Sequence, residues 1–220
     1  MAAFFIFPAA AARSDDEAVD AALKGLAGRY QGLNSFTARY TRVTTTPSTD
    51  TIFKNQASQT ARGVITWLAE SRLRLDQAEP DVQMMTTDGE TVWWHIPDEK
   101  LVYVYRDLDL AGELAPLLSF MAGLEALKDR FQIAEAEADD VRQEQTGLVL
   151  TPKQPSGEAG GELIVYCDGA GKLTGFRLSS PTGEKTDFFL DGQTDNPGAK
   201  PSFFVFKPPR GSRVVEETSE

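Results

Sequence analysis

The chain has 220 residues, 41% of them hydrophobic, and 33 acidic against 22 basic side chains give it a formal charge of −11. That is enough apolar material for one domain core, and the acidic balance excludes the clustered Lys and Arg that nucleic acid and anionic lipid surfaces attract. A single Cys excludes an internal disulfide, and with a single His it cannot assemble a zinc site. The first twelve residues, MAAFFIFPAAAA, are apolar and end in an Ala-x-Ala run before Arg13. They read as the remnant of a secretory signal peptide, too short to span a bilayer, so the expected protein is soluble and exported. The expected organisation is a leader over 1–12, a single domain over 13–215 and a disordered tail over 216–220.

Ser14-Asp15-Asp16-Glu17 matches a capping box, in which the Ser hydroxyl and Glu carboxylate satisfy exposed amides at a helix start. Val19, Leu23, Leu26, Tyr30 and Leu33 then recur at three- and four-residue intervals, and Gly32, Asn34 and Ser35 supply the stop. Phe36 to Val43 turns extended, followed by a Thr-, Ser- and Asn-rich stretch expected to be a long loop with a frayed strand. Gly63–Leu68 and Arg72–Ala78 form the next strand pair.

Pro80 to Tyr105 reads as a three-stranded meander: Val82–Thr87, Thr91–Ile96 and Leu101–Tyr105. Asp88-Gly89 between the first two predicts a two-residue type I′ turn, which places residue 85 opposite 92 and 83 opposite 94. One face then carries Met85, Val92, Trp94 and Ile96, and the other Val82, Met84, Trp93 and His95. An antiparallel sheet with one wet face alternates apolar with polar, so a meander that is bulky on both sides needs a cover on each.

After a polar link over Asp107 to Glu113, Pro116 opens a short amphipathic helix with Leu117, Phe120, Met121, Leu124 and Leu127 on one side. Strands resume at Phe131–Glu137, Gly147–Thr151, Glu162–Cys167, Leu173–Ser179 and Lys185–Leu190, and Phe203–Phe206 is expected to be the last. The fold class is mainly β (α+β), with roughly ten or eleven strands in a single antiparallel sheet, a helix in front and one helical insertion.

No constellation supports catalysis. His95 sits mid-strand with no acidic residue placed to orient it and reads as a half-buried strand residue. Asp98-Glu99 and Asp139-Asp140 read as solvated turns, Gly157–Gly161 as a hairpin loop, and Cys167 as a packed side chain. The aromatic content, Trp67, Trp93, Trp94, Tyr103 and Tyr105 on adjacent strands, fits either a plain core under two helices or an apolar cavity that takes a ligand.

Four ordered segments carry a family resemblance: the helix leading into LNSFTARYTR, the run RGVITWLAESRLRLDQAEPDVQMMTTDGETVWWHIPDEKLVYVY, PLLSFMAG, and LVLTPK with the closing FFVFKPPRGSRVV. Together they resemble the bacterial outer-membrane lipoprotein carrier family, the LolA-like periplasmic proteins. The resemblance implies an incomplete β-barrel closed by helices acting as a lid, which holds lipoprotein acyl chains inside. It implies an inner-membrane ABC transporter complex as donor and an outer-membrane receptor lipoprotein as acceptor. It also implies a monomer with no cofactor, no metal and no bond made or broken.

Under that reading Leu73, Leu75, Met85, Trp94, Ile96 and Tyr103 line the sheet side of the lipid site, and Leu117, Phe120 and Met121 the lid. Many members latch the lid with a basic residue before a Pro, where this chain reads Leu68-Ala69-Glu70, so Arg72 and Arg74 are the candidate latch. A second reading, a periplasmic lipid- or lipoprotein-sensing module of related fold, expects a further C-terminal domain.

Overall fold

The computed structural model describes residues 11–30, 32–47, 57–69, 71–106, 127–137, 140, 145–153 and 161–217. Helix α1 runs Ala11–Tyr30. Six strands follow: β1 Ser35–Thr46, β2 Ala57–Leu68, β3 Arg72–Glu79, β4 Gln83–Thr87, β5 Val92–Ile96 and β6 Leu101–Tyr105. A short α2, Leu127–Arg130, precedes β7 Phe131–Glu135, β8 Gln145–Pro152, β9 Glu162–Asp168, β10 Leu173–Ser179, β11 Lys185–Asp195 and β12 Arg213–Glu217.

All twelve strands form one sheet in the order β12-β6-β5-β4-β3-β2-β1-β11-β10-β9-β8-β7. Sequence neighbours pair antiparallel through β1 to β6 and through β7 to β11, and the two runs join where β1 pairs β11. The ends of the order, β12 and β7, do not pair with each other, so the sheet stays open as expected of an incomplete barrel.

Several expectations need correction. Helix α1 begins before Ser14, so Ser14 lies within the helix and is not its N-cap; the preceding Ala run has high helix propensity and carries the turn forward. The two ends of the Thr-rich stretch belong to strands, since β1 and β2 stay paired out to Thr46 opposite Ala57, where β-branched side chains suit a pleated surface; its middle, 48–56, lies outside the described residues. Phe203–Phe206 is not a strand: Pro201–Phe203 forms a 3₁₀ turn. The last strand is β12, which takes in Glu216 and Glu217 of the expected tail and pairs parallel with β6. The sheet is therefore antiparallel at every pairing but that one.

Between β11 and β12 the chain crosses the sheet's outer face. Asn196 anchors its start, accepting from the Asn34 and Ser35 amides through Oδ1 at 2.9 and 3.2 Å and donating its own N–H to the Ser35 carbonyl at 2.7 Å. The Thr86 hydroxyl donates to the Phe204 carbonyl at 3.3 Å, and the rings of His95 and Phe206 lie 5.3 Å apart. At the far end the Arg213 N–H donates to the Lys100 carbonyl at 2.7 Å. This crossing covers the second bulky face of the meander, where Met84, Val102 and Val104 are buried. The chain's own C-terminal segment thus supplies that cover.

Candidate functional site

The opposite, inner face is fixed by register. Met85 pairs Trp94 and Thr87 pairs Val92, so the Asp88-Gly89 connection is two residues longer than a type I′ turn. The cause is local: Asp88 Oδ1 accepts from the Glu90 and Thr91 amides, each at 3.0 Å, and Thr87 Oγ1 accepts from the Gly89 amide at 3.1 Å, which builds a wider side-chain-capped loop. Because the pairing moves by an even number of residues, every side chain keeps its expected face.

Leu73 pairs Thr87, Leu75 pairs Met85, Trp94 pairs Tyr103 and Ile96 pairs Leu101, so all six sheet-side residues expected from the sequence share one face. Ile65 and Trp67 of β2 continue it beside Leu75 and Leu73. Leu73 and Leu75 are buried in the main core, while Met85, Trp94, Ile96 and Tyr103 are half-buried. The paired inner positions from Leu73 to Tyr105 hold no charged side chain. Their polar members are Gln77, Gln83 and Thr87. Gln83 accepts from the Trp94 indole N–H at 3.1 Å, and the Trp94 and Tyr103 rings lie 5.4 Å apart.

Helix α1 packs over the other half of the inner face, against β7 and β8. Its C-terminal end is held by polar contacts: Arg29 pairs with Asp195, and Tyr30 donates to Gln193 at 3.1 Å while accepting from the Leu173 amide at 3.0 Å. Arg29 holds the Asp195 carboxyl below its ordinary range, and burial pushes the Tyr30 hydroxyl up. Farther along, Lys128 donates to Asp20 at 2.8 Å and ties α2 to α1. Leu117, Phe120 and Met121 lie outside the described residues. The described chain leaves the sheet at Arg106 after β6 and returns at Leu127 ahead of β7, on the sheet's opposite edge.

Both candidate latch residues lie on the outer face, and the lid segment over 107–126 lies outside the described residues. Arg72 pairs Leu68 and Arg74 pairs Thr66, which sets both on the outer face, away from Leu73 and Leu75. Arg74 does fasten a crossing element, but the C-terminal one: it donates to the Phe203 carbonyl at 3.1 Å, lies 4.4 Å from the centre of the Phe203 ring and pairs with Asp76 at 2.8 Å. Arg72 donates to the Ala69 carbonyl at 3.2 Å and closes the β2–β3 turn. Asp140 lies in a turn, its amide donating to the Glu137 carbonyl at 2.9 Å, and its carboxylate pairs with the Arg177 guanidinium that also donates to Asp187 at 2.7 Å.

Among the described residues no group of three or more His, Cys, Asp or Glu could hold a metal ion. Burial pushes the Cys167 thiol up to about 11, which leaves it protonated and unreactive. His95 is half-buried under Phe206, and burial holds its pKa below the ordinary value. The unfolded chain therefore takes up the proton more readily, so stability is full above the ordinary pKa and falls as pH drops through it. Lowering the pH from about 7.5 to about 5.5 should reduce the melting temperature of the wild type more than that of His95→Gln.

Sequence reasoning missed Trp67 as an inner-wall residue, although its alternation with Ile65 in GVITWL was the available signal. Gln83 carried none.

The sequence matches the family described as outer membrane lipoprotein carrier protein LolA over residues 31–207. The chain belongs to the LolA family. Within it, the chain is 28% identical over 197 residues to the outer-membrane lipoprotein carrier protein of Pectobacterium atrosepticum, covering 89% of this chain and 88% of that one. It is 25% identical over 200 residues to that of Albidiferax ferrireducens, covering 89% and 91%. With that of Azotobacter vinelandii it shares 28% identity over 138 residues, 63% of each chain. The solved structure of a LolA superfamily protein from Nitrosomonas europaea aligns with 86% of this chain and 97% of its own, at 12% identity and a TM-score of 0.48. The LolA match takes in β1 to β11 and the Phe203–Phe206 crossing, and it ends before β12.

Proposed function

We propose that this LolA family protein is a periplasmic carrier that binds the acyl chains of lipoproteins and moves them from the inner to the outer membrane. Cargo would come from an inner-membrane ABC transporter complex and pass to an outer-membrane receptor lipoprotein, with no bond made or broken. The observation that carries the reading is the uncharged, largely apolar inner face from Leu73 to Tyr105, whose polar groups are two amides, the Thr87 hydroxyl, the Trp94 indole N–H and the Tyr103 and Tyr105 phenols, and which α1 leaves half-exposed at Met85, Trp94, Ile96 and Tyr103. Acyl chains in water cost about 25 cal/mol per Å² of apolar surface, and a protein wall of this kind removes that cost without a covalent step. Family membership supports the same cargo.

An environment-sensitive apolar dye should bind the purified protein and be displaced by acyl chains. Met85→Glu, a charge on the half-buried wall, should weaken that binding at least about tenfold, while Val82→Glu at an exposed site leaves it unchanged. A dye that does not bind at all would sink the reading.

A further inference from the structure

The two inner-face indoles differ in one respect. Trp94 donates to Gln83, whereas the Trp67 indole N–H is buried with no acceptor among the described residues. Trp67 is 9% exposed and belongs to the main core. Its ring lies 5.6 Å from Phe36, and Leu73 is its register partner on β3. Thr87 is the next residue across the same face, its hydroxyl already accepting from the Gly89 amide. A buried Trp N–H ordinarily finds a partner, and a donor left unpaired away from water is unfavourable. The hydrocarbon of an acyl chain offers no acceptor. An acyl chain joined through an ester or amide linkage does carry one, the carbonyl oxygen.

We infer that Trp67 is a specificity-determining residue of the lipid site, donating its indole N–H to the carbonyl oxygen of an acyl linkage in the cargo. This rests on the carrier reading and adds to it: the inner wall supplies apolar burial, and Trp67 distinguishes an acyl group from a plain alkyl chain of the same length. Its place agrees with that role. Trp67 sits one residue from the end of β2, beside Phe36, whose ring in turn lies 5.8 Å from Tyr30 at the end of α1, so the linkage would lie at one end of the inner face and the hydrocarbon along it.

The test compares displacement of the apolar dye by a monoacylglycerol with displacement by the alkyl glycerol ether of equal chain length, which lacks only the carbonyl. Wild type should prefer the ester by roughly five- to tenfold, Trp67→Phe should lose that preference while still binding the ether, and Trp94→Phe should keep it. In the wild type, the indole N–H resonance of Trp67 should shift with the ester and not with the ether, a readout that needs no variant to fold. Equal binding of the two amphiphiles by the wild type, or a preference that survives Trp67→Phe, overturns the inference and leaves the carrier reading standing. Binding of neither overturns both.

Discussion

Phe204→Ala is expected to lower stability by about 3–5 kcal/mol, the cost of a large aromatic truncated in a packed site. Phe204 is fully buried although it lies in a non-strand crossing, and its carbonyl takes the Thr86 hydroxyl at 3.3 Å. Phe203 and Phe206 on either side meet Arg74 and His95, so losing the central ring should loosen the crossing as a unit. For a domain of this size each kcal/mol corresponds to roughly 2–4 °C, so thermal unfolding should show a fall of roughly 6–20 °C. Phe203→Ala, at a ring 42% exposed, should cost far less. Equal losses for the two variants would contradict the role given to the crossing.

Gly171→Ala should destabilise by roughly 3 kcal/mol, through left-handed strain and a backbone clash together. Gly171 has φ +74°, and a Cβ built there would lie 2.2 Å from the backbone carbon of Gly25 in α1. Backbone meets backbone at this contact, so no side chain can rotate away and α1 must lift from the β9–β10 turn. The converse substitution differs sharply. At Gly25 an added Cβ finds Gly171 Cα at 3.4 Å, an ordinary contact, and alanine gains about 1 kcal/mol of helix propensity over glycine. Chemical denaturation of the pair should therefore give opposite or strongly unequal shifts. Similar losses at both positions would mean that α1 does not dock through this crossing.

The sequence displayed the inner face better than the outer one. Alternation in RLRLDQA is a local property, and the Asp-Gly turn and its even-numbered offset carry the phase into VWWHI, so Leu73, Leu75, Met85, Trp94, Ile96 and Tyr103 share one wall although the loop is longer than a type I′ turn. What the outer face lacked was any local signal for its cover. FFVF reads as a strand by composition, yet the Pro201–Phe203 turn and the long-range bonds to Arg74 and Thr86 lay it across the sheet. The parallel pairing of β12 with β6 joins residues more than a hundred apart, which no periodicity reveals. Arg74 lies on that outer face and fastens the C-terminal crossing through Phe203, a contact no local pattern announces.

The most direct measurement is binding of a triacylated lipopeptide to the purified protein by native mass spectrometry, against the same peptide without its acyl chains. A carrier should hold the acylated form as a discrete complex, release it on Met85→Glu, and ignore the bare peptide. Retention of both peptides alike, or of neither, would contradict the assignment of the inner face to acyl chains.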